Sequence, residues 1–366
     1  MDRLLESYVE RHAFPGGVLA VGDREGLIHV HPFGHLTYDA DAPPVTAATI
    51  YDLASLTKVV ATTTMAMILV DEGRLDLDRP VREGVTVRHL LTHSSGLPAL
   101  APFFKEIRGK DAYVERIQAM DLEYPPGSRS VYSDPGIILL GAVLEQVAGE
   151  PLEAFIQRRV LGPLGMTHTM FRPPPELRSR IAPTEIDPWR GRLIQGEVHD
   201  ENAFAMGGIA PHAGLFGTAG DLARFAQMML NGGLVSKETI ALFTRKAGIP
   251  GSDRALGWDT KSAEGSSAGT LFSPSSFGHT GFTGTSIWID PERQLYVILL
   301  TNRVHPTREN NLIREVRPAV ADAMVRAAGA RRGPSASPPP EAPPPAADTA
   351  GLQMWDMWIR LTSKKS

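Results

Sequence analysis

The chain contains no cysteine. That excludes disulfides, thiolate nucleophiles and cysteine-ligated zinc. It does not fix the compartment, because an exported protein need not carry disulfides. The sequence has no run of 18 or more apolar residues, so no membrane-spanning helix is expected. Charge of one sign is also scarce: 37 basic residues against 41 acidic ones leave a net −4. Such a balance gives no electrostatic ground for a nucleic-acid or anionic-membrane partner. The opening Met1-Asp2-Arg3-Leu4-Leu5-Glu6 lacks a basic segment followed by an apolar stretch, so it does not read as a secretory signal. A cytoplasmic location is the expectation, and a periplasmic or secreted one would require a processed form. The oligomeric state is left open.

What is present is an ordinary globular composition spread over 366 residues, enough for one large domain or two lobes sharing a cleft. Residues 2 to 12 have helical periodicity, and Pro15-Gly16-Gly17 breaks it. Val18 to Val21 and Leu27 to Phe33 read as strands around the turn Asp23-Arg24-Glu25-Gly26. A helix is expected from about Thr57 to Glu72, stopped by Gly73. Further helices are expected from Thr86 to Leu91, Pro135 to Val147, Pro151 to Leu161, Asp221 to Leu230 and Ser236 to Thr244. Strands return at Thr285 to Ile289 and Leu295 to Thr301, joined by Asp290-Pro291-Glu292-Arg293. A last helix is expected from Asn310 to Arg326, kinked near Pro318. Strands at both ends with helices between them predict an α+β fold. An antiparallel sheet is built from both chain ends and flanked by helices, with a helical lobe inserted. The expected folded domain is 1–330, with a sheet lobe of about 1–55 and 255–330 and a helical lobe of about 56–254. Residues 331–350, rich in proline and alanine, are expected to be a disordered linker, and 351–366 a short tail.

The chemistry centres on Ser55-Leu56-Thr57-Lys58 at the expected start of a helix. A helix start offers unpaired N–H groups and the positive end of the dipole, which stabilise an oxyanion. Lys58 lies three residues on, so its amine shares a face with the Ser55 hydroxyl and can lower the cost of removing the serine proton. The string alone is common, and its plain reading is a capping serine beside a solvated lysine. Two more elements follow in order: Tyr132-Ser133-Asp134 before an apolar helix, and His279-Thr280-Gly281 before the strand near Thr285. The plain readings are a core tyrosine, an N-capping aspartate and a turn-supporting histidine.

Taken together these elements resemble the serine β-lactamase and penicillin-binding superfamily. The similar branch holds class C β-lactamases, D-Ala-D-Ala carboxypeptidases, D-aminopeptidases and β-lactamase-like carboxylesterases. Leu90 to Pro98, Pro163-Leu164-Gly165-Met166 and Ala213-Gly214-Leu215-Phe216 add to the resemblance, which runs from about residue 10 to 328. It implies a β-lactamase/transpeptidase-like fold, an acyl-enzyme on Ser55, and a general base shared by Lys58 and Tyr132. Tyr132 would pass a proton to the leaving group, which requires nearby cations to depress its pKa. His279 would meet the substrate carboxylate or the proton network. The backbone N–H groups of Ser55 and Phe282 would form the oxyanion hole. Asp134, Thr280 and Gly281 would contact substrate. No cofactor or metal is implied.

Two departures bear on the substrate. Asp134 stands where many β-lactamases have asparagine, and an ionised carboxylate cannot donate to an amide carbonyl. His279 stands where many relatives have lysine, and it is not a fixed cation at neutral pH. Both favour small esters or related acyl compounds over peptides and β-lactams. A D-amino-acid peptidase or weak β-lactamase is the alternative, and a penicillin-binding or ligand-binding protein with little turnover is a third. Gly265-Ser266-Ser267-Ala268-Gly269 matches a nucleophile elbow but lacks the strand and helix that motif needs. His199-Asp200-Glu201 with His212 fits no metal-ligand spacing, and His93 reads as a structural hydrogen-bonding residue.

Overall fold

The computed structural model describes residues 2–332. The Pro/Ala-rich segment and the tail anticipated at 331–350 and 351–366 lie, but for residues 331 and 332, outside the described residues. A six-stranded antiparallel sheet is built from β1 (Gly16–Asp23), β2 (Gly26–Gly34), β3 (Asp259–Thr260), β4 (Phe277–Thr280), β5 (Ser286–Asp290) and β6 (Leu295–Thr301), in the order β3-β4-β5-β6-β1-β2. The first strand therefore sits beside the last, with Val18 opposite Leu300 and Val21 opposite Val297. The β1–β2 turn closes on Asp23, whose side chain accepts the Glu25 amide at 2.8 Å.

Both sheet faces are covered, which explains why the central strands read as apolar runs rather than alternating ones. On one face Leu19, Val21, Trp288, Val297 and Leu299 pack with Leu5 and Tyr8 of α1 (Asp2–Glu10) and with the C-terminal helix. On the other, Val18, Ala20, Ile287, Ile298 and Leu300 join the larger helical core. That core includes α2 (Thr64–Asp71), α3 (Asp134–Ala148) and α4 (Ala219–Asn231), and α5 (Ile313–Arg332) covers the first face. Although α4 falls in the middle of the chain, it packs on β1, β2, β5 and β6.

Several expectations need correcting. The helix expected from about Thr57 is helical from Leu56, but Lys58–Thr63 are π-wound before α2. The helix expected from Pro151 is likewise π-wound over Gln157–Leu161. The final helix starts at Ile313 and runs on to Arg332. His279 precedes β5, which begins at Ser286 as expected near Thr285, but it also lies within a strand of its own, β4. That strand escaped sequence reading because Gly278 breaks its pattern. A Cβ there would meet Ile287 O at 2.3 Å, so the close pairing with β5 requires glycine.

Candidate active site

Ser55 sits in a turn that is under conformational load. Ala54, just before it, has φ 48°, a left-handed conformation that costs a non-glycine residue on the order of 1 kcal/mol or more. Buried Asp52 offsets this by accepting the Ala54 amide at 2.8 Å. The turn then feeds the helix at Leu56, so Ser55 stands immediately before its first residue. Ser55 stays half-buried, open to a reactant, while Lys58 is fully enclosed.

Lys58 Nζ donates to Ser55 Oγ at 2.9 Å and to the His212 carbonyl at 2.9 Å. Asp134 Oδ1 lies 2.8 Å from the same amine. Burial works against the ammonium, but the Asp134 charge and its hydrogen bonding prevail, and the Lys58 pKa is raised. Asp134 is therefore not the helix cap, and its carboxylate is paired with Lys58. Ser133 caps α3 by accepting the Gly136 amide at 3.0 Å, and Asp134, the first helical residue, turns to Lys58.

Tyr132 sits beside Lys58 and Ser55, both of which act to lower its pKa. Its ring lies 4.8 Å from Lys58 Nζ and 5.0 Å from the Arg254 guanidinium. Even so, its pKa is raised: burial outweighs the depressing charge of Lys58. The cationic depression expected of this tyrosine is present but does not win. His93 stacks on the ring at 4.5 Å, and its Nδ1 accepts the Ser133 amide at 3.0 Å. Burial drives the His93 pKa well below the ordinary value, so it packs against Tyr132 as a neutral ring.

His279, on β4, has its ring 5.9 Å from that of Tyr132 and its Nδ1 2.8 Å from the Thr280 carbonyl. Burial lowers its pKa to about 4. It is neutral at physiological pH and supplies no cation for a carboxylate. Arg254 is the cation beside Tyr132 that sequence reading missed. It is ion-paired with Asp259 of β3, and only the tertiary fold brings it there.

The turn after β4 is docked directly on the residues before Ser55. Thr283 Oγ1 donates to Asp52 O at 2.7 Å, and Thr285 Oγ1 to Leu53 O at 3.0 Å. Gly281 must be glycine, because a Cβ there would meet Thr285 Oγ1 at 2.0 Å and Leu53 O at 2.6 Å. Thr280 and Phe282, on either side, remain half-buried. The structure thus brings together Ser55, Lys58, Tyr132, Asp134, His279, Thr280, Gly281 and Phe282.

Other flagged residues lie behind this cluster or away from it. His199 pairs with Glu185 at 2.9 Å, and His212 with Asp200 at 3.0 Å. Asp200 also caps the short helix Glu201–Ala205. His212 still reaches the site, through the carbonyl that holds Lys58. Ser267 lies in an irregular segment and accepts a hydrogen bond from Trp288 Nε1 at 3.1 Å.

A serine with a buried lysine at its hydroxyl and a tyrosine beside that lysine, next to an antiparallel sheet, belongs to a recognisable class, the serine hydrolases. The chain is a member of the Beta-lactamase family, whose profile matches residues 1–321. It is 34% identical over 360 residues to "Putative D-alanyl-D-alanine carboxypeptidase" of Escherichia coli O157:H7, covering 83% of this chain and 82% of that one. Among solved structures, an octameric penicillin-binding protein homologue from Pyrococcus abyssi superposes with a TM-score of 0.68 at 26% identity, covering 88% of this chain and 78% of that one. A β-lactamase from Mycobacterium bovis shares the fold with a TM-score of 0.63 at 23% identity, covering 88% and 99%. Among the described residues no helix is long and apolar enough to cross a membrane.

Proposed function

We propose that the protein hydrolyses small esters or related acyl compounds through an acyl-enzyme on Ser55. The observation that carries this reading is Lys58 Nζ at 2.9 Å from Ser55 Oγ, with the Tyr132 ring 4.8 Å from the same amine. At rest Lys58 is an ammonium and Tyr132 a phenol, since both pKa values are raised. One proton must leave this couple before it can act as base. Ser55 Oγ then attacks the acyl carbon, and its proton passes to the couple. The bond to the leaving oxygen breaks, and Tyr132 hands that oxygen the proton. Water repeats the attack, releases the acid and restores Ser55. The N–H groups of Ser55 and Phe282 receive the oxyanion. Asp134 favours esters: its carboxylate has no proton to donate to a substrate amide, and it is committed to Lys58.

A second reading is a D-amino-acid peptidase or weak β-lactamase. The name carried by its relatives favours it, as does Arg254, a permanent cation beside Tyr132. The test compares wild type with Ser55→Ala on a short-chain p-nitrophenyl ester, a D-alanyl peptide and a chromogenic cephalosporin. Ester turnover lost in the variant supports the reading. Equal turnover in both proteins contradicts it, and preference for the peptide moves the substrate to the second reading.

A further inference from the structure

Two buried arginines hold the Gly281–Thr285 turn from behind. Arg317, on α5, donates through Nη2 to Gly281 O at 2.7 Å and to Thr285 O at 2.8 Å. Arg303 donates through Nε to Phe282 O at 2.8 Å, and its guanidinium lies 4.3 Å from the centre of the Phe282 ring. His199 stacks on the same ring at 5.7 Å.

One covalent fact gives Arg317 particular reach. A peptide group is planar and trans, so its C=O and N–H point in opposite directions. Gly281 C=O and Phe282 N–H belong to one peptide. Arg317 shares that carbonyl with the Gly284 amide, 3.1 Å away, and provides the shorter, charged bond of the two that fix the N–H direction, away from α5. On the nucleophile side, Gly281 is in such close contact with Leu53 and Ala54 that a side chain cannot be inserted. The peptide is thus clamped between α5 and the backbone leading to Ser55. A charged donor on the carbonyl also polarises the amide and strengthens its N–H as a donor. Burying a guanidinium is costly, and here burial lowers its pKa to about 9. An apolar side chain would pack α5 without that cost.

We propose that Arg317 is a positioning residue for the oxyanion hole: by holding the Gly281 carbonyl, it aims and polarises the Phe282 N–H toward the acyl oxygen of the substrate. This rests on the Ser55 acyl-enzyme reading. The test uses Arg317→Met and Arg317→Lys with p-nitrophenyl acetate and its thiono analogue, whose sulfur accepts hydrogen bonds weakly. Losing one oxyanion donor costs about 10²–10³ in kcat, so Arg317→Met is expected to lose about 10²-fold on the oxygen ester with KM little changed. The thionoester should lose far less, and Arg317→Lys should fall between wild type and Arg317→Met. If Arg317→Met does not fold, Arg317→Lys is read alone, again by the oxygen-to-thiono ratio. Equal losses on both esters, or no loss, would overturn the role of Arg317. Intact-protein mass spectrometry of quenched wild type separates the two ideas. An acyl adduct on Ser55 with an unchanged ratio overturns only the arginine's role, whereas turnover without any Ser55 adduct overturns both.

Discussion

Lys58, Asp134 and Tyr132 hold one side of Ser55 through charge and protons, whereas Gly281 to Thr285 hold the other through main-chain contacts. On the first side a buried ion pair at 2.8 Å sets the protonation of the base. On the second, threonine hydroxyls and arginine donors fix backbone carbonyls, and glycine allows the approach. The difference separates two kinds of failure. Changes on the charged side should alter pH dependence and leave the fold standing. Changes on the main-chain side should alter geometry and stability together.

The largest effect is expected at Lys58. Lys58→Met should cost at least about 10³-fold in kcat, measured by steady-state turnover of a p-nitrophenyl ester, with the variant still folded. Gly281→Ala comes next. Its methyl would press on Leu53 O and Thr285 Oγ1, and overpacking of this kind costs about 1–3 kcal/mol. Thermal denaturation should show the loss, and activity should fall with it. A variant with unchanged Tm and unchanged kcat would break the comparison.

Asp134→Asn sharpens it. The Asp134 charge raises the Lys58 pKa, so removing it should let the couple shed its proton at lower pH. The acid limb of the kcat/KM profile should then move to lower pH, with Tm changed little. The new amide should also improve amide turnover relative to ester. His279 should contribute no step between pH 6 and 9, because burial holds its pKa at about 4. The smallest effect belongs to Ser267→Ala, which removes one hydrogen bond to Trp288. It should cost about 1 kcal/mol of stability and leave esterase kinetics unchanged.

The same division governs what the sequence discloses. Ser55 and Lys58 share one turn, and Tyr132 and Asp134 lie two residues apart at the start of a capped helix, so these short motifs, taken together in order, were legible. The hairpins at both chain ends were legible from their turns, and with them the sheet joining the chain's two ends. The register of β4 was not, because Gly278 hides the strand. Arg254, Arg303 and Arg317 were not legible either. Each acts on the site from a distant segment, and a lone arginine carries no local pattern. The π-wound stretch of the helix after Ser55 was also hidden, because Lys58–Thr63 has the residues of an ordinary helix. The Asp134 pairing depended on where Lys58 Nζ falls in space, and so did the raised pKa of Tyr132, which depends on the depth of its burial.

The most direct test of the central claim is intact and peptide-level mass spectrometry of the protein quenched during turnover of a p-nitrophenyl ester. The account predicts a mass increase of one acyl group, located on the peptide containing Ser55 and absent from Ser55→Ala. An adduct on any other residue, or undiminished turnover by Ser55→Ala, would contradict it.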